Sequence, residues 1–271
     1  MLAALKHLLH LFTYSWRALG PRTLVRDTVK YALDAGARHA DHAFDDRFGT
    51  DTTAAVTPAE AHIPPERRLG ATLYVPSHDG DITTMLTALA WPEAELARTT
   101  FVDLGSGKGR VVMLGAMRPF REVVGIELSP VLHATALANV ALVRRRGALV
   151  APVRLQNSDA ADLVVPAGPL VVYLYHPFGA PLAAEVIGRL VAALAEAPRP
   201  VAILYGHPTM QQPYGDDVFA GAGVFRLAVA GERRTARFRI GWSVWTNEAW
   251  LAGQVAAGQP ARVAALSAQA G

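Results

Sequence analysis

One segment limits the possible folds more than any other: Phe101-Val-Asp-Leu-Gly-Ser-Gly-Lys-Gly-Arg110. A short apolar run enters three alternate glycines, Gly105, Gly107 and Gly109, and a helical pattern opens directly after them. Glycine tolerates positive φ and leaves room for a close backbone approach, and a helix N-terminus offers free N–H groups and partial positive charge. Such a turn suits a pyrophosphate, a carboxylate or an adenosyl ligand. A dinucleotide fingerprint would need glycine at 110, where Arg110 stands, and no Gly-Lys-Ser/Thr of a P-loop occurs.

The surroundings of this turn repeat its pattern. Apolar runs at Phe101–Leu104, Val123–Glu127, Val153–Gln156, Leu170–Tyr175 and Val201–Tyr205 alternate with helical stretches at about 110–118, 130–146 and 181–196. Another helix is expected over Asp81–Trp91, closed by Pro92. Strands alternating with helices predict a doubly wound α/β fold, its sheet mostly parallel with helices on both faces. Val224–Ala230 and Arg237–Trp245 alternate apolar with polar or small residues, with Gly231-Glu-Arg-Arg234 as the connecting turn. They predict a C-terminal antiparallel hairpin, for seven strands in all.

The remainder divides into three parts. Residues 1–43 predict an N-terminal helical extension: Met1, Leu5, Leu8, Leu9, Phe12, Trp16 and Leu19 recur at helical spacing, and a second helix follows from Thr23 to His39. Packing on its own domain is the plain reading of residues 1–20, and peripheral membrane contact the alternative. Residues 44–78 are polar and Pro-punctuated, too long for an idle connection, and are expected to form a lid or substrate segment. Residues 79–250 carry the ligand-binding domain, and the Ala/Gly/Gln-rich residues 251–271 read as a flexible tail.

Composition removes several function classes. With 51% hydrophobic and 18% charged residues, the chain can bury a sizeable core. It has no cysteine, hence no disulfide, thiolate metal site or cysteine nucleophile. No uninterrupted apolar run reaches roughly 18 residues, so no transmembrane segment is expected, and the cytoplasm is the expected compartment. Of 26 basic side chains only Lys6, Lys30 and Lys108 are lysines. The clusters Arg144–Arg146, Arg233–Arg234 and Arg237/Arg239 are short and read as solvated faces; nucleic acid is not an expected partner. His39 and His42 could meet a metal from one helix, but no third ligand is evident and no metal is expected.

Spacing sharpens the ligand. Glu127 ends the second apolar run, 22 residues beyond Gly105, where a carboxylate can accept both hydroxyls of a ribose. Asn157-Ser-Asp159-Ala160 follows the third run, and its acid can meet an adenine amino group or simply form a turn. The fourth run leads into Tyr175-His176-Pro177-Phe178 at the crevice expected beside the switch point of the sheet. His176 can accept a hydrogen bond from a nucleophile or take its proton, and Pro177 disposes it to an extended conformation. Tyr175 and Phe178 can flank a flat or cationic group. Asp45, Asp46, Asp51 and Arg47 read equally as a lid or as a self-satisfied polar loop. In the lid reading Asp45 and Asp51 would hold a cationic acceptor, with Tyr74 over the reacting group.

Asp103-Leu-Gly-Ser-Gly-Lys-Gly109 resembles the acidic-x-Gly-x-Gly-x-Gly signature of class I S-adenosylmethionine-dependent methyltransferases, and Asp-Leu-Gly-Ser-Gly-Lys-Gly-Arg-Val-Val is similar to the phrase of the non-SET lysine methyltransferases and their small prokaryotic relatives. Phe44–Thr52 and Tyr74–Ser77 resemble segments of bacterial members. The resemblance spans residues 79–246. It implies S-adenosylmethionine as cofactor, with S-adenosylhomocysteine as product. It implies cofactor contacts from Asp103, Gly105, Ser106, Gly107, Gly109, Glu127, Asp159 and Ala160; by its place at the fourth strand end His176 is the expected catalytic group, with Tyr74 and Tyr175 next. Family members that methylate nitrogen often carry Asn or Asp before the Pro-aromatic pair at the fourth strand end; His176 departs from that pattern. A nitrogen acceptor on a protein or small molecule is the expectation. An O-methyltransferase and a cofactor-binding but inactive interaction subunit are the alternatives.

Overall fold

The structure, a computed structural model, describes residues 35–64, 67, 74–208, 214–234 and 239–256. Five strands run parallel: β1 (Thr100–Leu104), β2 (Glu122–Glu127), β3 (Val153–Asn157), β4 (Leu170–Tyr175) and β5 (Val201–Pro208). β6 (Arg226–Arg234) and β7 (Arg239–Thr246) complete a seven-stranded sheet of order β3-β2-β1-β4-β5-β7-β6, in which β7 lies antiparallel between β5 and β6. The helices are α1 (Ala35–Phe48), α2 (Asp79–Ala88), α3 (Glu93–Leu96), α4 (Arg110–Ala116), α5 (Pro130–Arg145), α6 (Ala180–Glu196) and α7 (Glu248–Ala256). Because β1 has β2 on one side and β4 on the other, the crossovers leave it in opposite directions and open a crevice at its C-terminal end.

Strand alternation divides the core in two. Phe101, Val123, Val171, Tyr173, Ala202, Leu204 and Val244 share one face with α2, α4, α5 and Trp250 of α7. Val102, Leu104, Val124, Ile126, Val172, Leu174 and Ile203 share the other with α6. The stripe Ala183, Val186, Ile187, Leu190 and Leu194 buries α6 at the spacing an amphipathic helix requires. Ser129 caps α5 by accepting the Leu132 N–H at 3.1 Å, with Pro130 at its first position.

Four expectations change. First, α1 continues through Phe48, so a helix, not a loop, occupies residues 44–48. Phe44 and Phe48, one turn apart, pack at 4.9 Å and bury that turn, and Gly49 at φ +64° ends it. Second, Gly231–Arg234 belongs to β6 rather than to the turn. Gly231 makes room for the Trp242 ring, since a Cβ there would lie 2.5 Å from Trp242 Cζ2. Arg233 is drawn onto Asp81 of α2, with Nε 2.9 Å from both carboxylate oxygens. Third, residues 251–256 of the expected tail are helical in α7. Trp250 stacks on Trp91 at 4.0 Å and Gln254 donates to Leu89 O at 2.6 Å, which docks that helix on the core. Fourth, α2 stops at Ala88, short of Trp91, where Ala90 turns to φ +47°. The helices expected over residues 1–34, the membrane contact of residues 1–20 and the tail beyond residue 256 lie outside the described residues.

Candidate active site

The glycine turn adopts the conformation its residues permit. Gly105, Gly107 and Gly109 have φ of +75°, +54° and +83°, a region that costs other residues energy. The Gly105 and Ser106 N–H groups both donate to Ile126 O, at 2.9 and 3.0 Å, tying the turn to the end of β2. There Glu127 accepts the Gly107 N–H through Oε2 and the Ser129 N–H through Oε1, both at 2.7 Å. Burial pushes the Glu127 carboxyl up, against the pull of those N–H donors. Asp103 is fully buried on β1 and is raised further, first by burial and then by the Glu127 charge.

β3 brings the third element alongside. Asn157 donates to Glu127 O at 2.8 Å and holds the two strand ends together. Asp159 caps a single 3-10 turn by accepting the Ala161 N–H at 2.9 Å and pairs with Arg67 at 2.9 Å. Ala160 is buried behind it. The residues expected to bind cofactor therefore gather at the C-terminal ends of β1, β2 and β3.

The expected lid is a strap locked onto this turn. Asp45 accepts hydrogen bonds from the Thr50, Thr52 and Thr53 hydroxyls and from the Thr52 and Thr53 N–H groups, at 2.6–3.0 Å. Burial works to raise its pKa, but these bonds outweigh burial and hold it below the ordinary carboxylate value. Both Asp45 oxygens are engaged within the strap. Asp51 is exposed and pairs with Lys108 Nζ at 2.9 Å. Asn139 of α5 clasps the Asp51 backbone, accepting its N–H at 3.0 Å and donating to its carbonyl at 2.9 Å. Tyr74 donates to Thr52 O at 2.8 Å and lays its ring against Gly107.

Arg110 organises the strap from below. Its guanidinium is buried, donates to Thr52 Oγ1 at 2.8 Å and lies 3.9 Å from Asp45 and 3.6 Å from Asp79. It also faces the Phe44 ring at 5.6 Å. Nothing in the local pattern around Arg110 points to a contact with Thr52, 58 positions away. An arginine opening an otherwise apolar helix, Arg110-Val-Val-Met-Leu, was the available signal.

At the ends of β4 and β5 the arrangement differs from expectation. His176 is not extended but left-handed, at φ +43°, a strained conformation for a non-glycine residue before proline. Its ring is pinned: Nδ1 lies 2.5 Å from the Tyr205 hydroxyl, and Tyr214 stacks on it at 4.7 Å. Pro177 packs against Gly105, where a Cβ would fall 2.5 Å from Pro177 Cβ. Phe178 is buried in the core face beneath α6. Tyr175 crosses Gly206 of β5, where a Cβ would meet its ring at 2.7 Å. Burial, then the neighbouring His207, lowers the His176 pKa to about 4. Tyr205 and Tyr214 were not expected here, although Tyr205 closes the fifth apolar run. Among the described residues no cluster of His, Asp and Glu is placed to hold a metal, and no helix is long and apolar enough to cross a membrane.

No protein-family model matches the sequence and no curated protein is similar to it. The structure of magnesium protoporphyrin IX methyltransferase from Synechocystis PCC 6803 with bound S-adenosylmethionine is similar over 83% of this chain and 96% of that one, with a TM-score of 0.50 and 18% identity. The same enzyme with bound S-adenosylhomocysteine aligns over 83% of this chain and 99% of that one, at a TM-score of 0.48 and 16% identity. The N-methyltransferase NodS from Bradyrhizobium japonicum WM9 aligns over 62% and 94%, at 0.44 and 12%. At these identities it is the fold that is shared. The chain has the seven-stranded, Rossmann-like fold of class I S-adenosylmethionine-dependent methyltransferases.

Proposed function

We propose that this chain is an S-adenosylmethionine-dependent methyltransferase. One observation carries the reading: a left-handed Gly105-Gly107-Gly109 turn whose backbone is bonded to Glu127 at the end of the neighbouring strand. The donor set fits the cofactor. Glu127 accepts loop N–H groups from Gly107 on Oε2 and Ser129 on Oε1, and a carboxylate's two oxygens, with about four lone-pair sites, keep capacity for a ribose hydroxyl. Asp159 and Ala160 would meet the adenine side, and Asp103, Ser106 and the glycine turn the remainder. The bound cofactor supplies an activated methyl group, so the protein's own work is to bind, orient and exclude water. The strap of residues 45–53, with Tyr74 laid on Gly107, performs the exclusion.

The acceptor reaches the ends of β4 and β5 beside His176 and Tyr175. A nitrogen nucleophile on a protein or small molecule, arriving unprotonated, is the first reading. An already ionised oxygen is the second; like an unprotonated nitrogen it asks for no base, which fits a His176 whose Nδ1 is engaged. The test is to incubate the full chain with methyl-labelled cofactor and fractionated lysate. Label in protein or small molecules, with stoichiometric S-adenosylhomocysteine, is the expected result. Cofactor binding without turnover in any fraction identifies an inactive interaction subunit instead.

A further inference from the structure

We propose that Arg67 is a cofactor-binding residue, and that the Arg67–Asp159 pair reads the amino edge of adenine. The proposal rests on the methyltransferase reading and extends it to a residue outside the glycine turn and the strand ends.

The way Arg67 is delivered is the first ground. Glu127 Oε1 holds the N–H of Ser129, and the Ser129 hydroxyl in turn donates to Ala61 O at 2.5 Å. Ile63 is buried against Leu132 of α5, with Leu128, Val56 and Tyr74 packed around them. The Arg67 N–H bonds back to Pro64 O at 2.9 Å, and Arg67 Nη2 lies 2.9 Å from Asp159 Oδ2. The chain from Ala61 to Arg67 is therefore tied at one end beside the expected ribose acid and at the other to the expected adenine acid. Asn157, which donates to the carbonyls of Glu127 and Leu128 at 2.8 and 3.1 Å, holds those two strand ends together.

The chemistry of the pair is the second ground. Its side chains are 45% and 14% exposed, and ion pairs open to water add little stability. The pair is better matched to recognition. Asp159 uses Oδ1 for the Ala161 N–H and Oδ2 for Arg67, and a carboxylate with about four lone-pair sites can still take an amino hydrogen. Arg67 meets it through one terminal nitrogen of a flat guanidinium that carries further N–H donors. An acceptor and a donor thus stand side by side. Adenine presents the complement, an amino donor next to a ring-nitrogen acceptor. Hypoxanthine, with a carbonyl in place of the amino group and an N–H next to it, presents the reverse.

The test is calorimetry of the full chain with S-adenosylhomocysteine and with its deaminated analogue S-inosylhomocysteine, on the wild type, Arg67→Ala and Arg67→Lys. The wild type should prefer the adenine form. Arg67→Ala should melt like the wild type, bind S-adenosylhomocysteine roughly tenfold more weakly, and lose a similar factor of its preference over the inosine form. Arg67→Lys, which keeps charge without the planar fork, should fall between. Tighter S-adenosylhomocysteine binding by Arg67→Ala overturns the proposal, because Arg67 would then compete with adenine for Asp159. Unchanged affinity, or an equal loss for both ligands, overturns it as well. So does a wild type that binds both ligands alike, a result that needs no variant to fold. A wild type that binds neither ligand removes the methyltransferase reading itself and the proposal with it. Binding alone is read, so a chain that transfers no methyl group still tests the pair.

Discussion

The Tyr74 ring lies so close to Gly107 that a Cβ on that glycine would fall 2.2 Å from Tyr74 Cε2. Tyr74 and the glycine turn are therefore in direct contact, and the contact separates two costs. Gly107→Ala should lose about 1–2 kcal/mol to its left-handed backbone and about 1–3 kcal/mol more to overpacking. Adding Tyr74→Ala should recover the second cost and leave the first. Urea unfolding of the single and double variants measures both; no recovery in the double variant would mean the ring yields freely.

Arg110 should be the strap's main attachment. Arg110→Ala removes the donor to Thr52 and strands Asp45 and its threonines above an empty site. Breaking a buried charged contact on one side costs about 3–5 kcal/mol. Arg110→Lys keeps charge without the planar fork and should fall between. Hydrogen exchange at the Thr52 and Thr53 amides, both bonded to Asp45, should accelerate in the alanine variant. Unchanged protection there would show that the strap holds without Arg110.

His176 gives stability a specific pH dependence. Its folded pKa is depressed, from 6.5 to about 4, so between those values the unfolded chain binds a proton that the folded chain refuses. Its contribution is thus complete above about pH 6.5 and is lost as pH falls toward 4. Among the described residues, Tyr205, Tyr214 and His207 are groups that face the ring. Wild-type and His176→Gln stabilities should diverge across that window by at most about 3 kcal/mol. Parallel curves would mean that His176 titrates normally.

Much of the fold was legible because it is written locally. The alternation of Phe101–Leu104 with the glycine turn, and the stripe on α6, need only neighbouring residues. The strap was not legible in the same way. Arg110 meets Thr52 across 58 positions, and Ser77 meets the Tyr173 hydroxyl, at 2.7 Å, across 96. Local periodicity carries no record of such pairs. Gly231 misled for a related reason: glycine marks turns, but here it is the space beneath a cross-strand Trp242. His176 misled because proline's steric preference for an extended predecessor was overridden by the Tyr205 and Tyr214 contacts.

Glu127 at the end of β2 is the residue on which cofactor binding should depend most. Calorimetry of the full chain should show S-adenosylhomocysteine binding and no comparable binding of NADH. Glu127→Ala removes hydrogen bonds to a charged acceptor, each contributing about 1.5–3 kcal/mol. Affinity for S-adenosylhomocysteine should therefore fall roughly ten- to a hundredfold in a variant whose circular dichroism and melting show it folded. Unchanged affinity in that folded variant, or tighter binding of NADH by the wild type, would contradict the account.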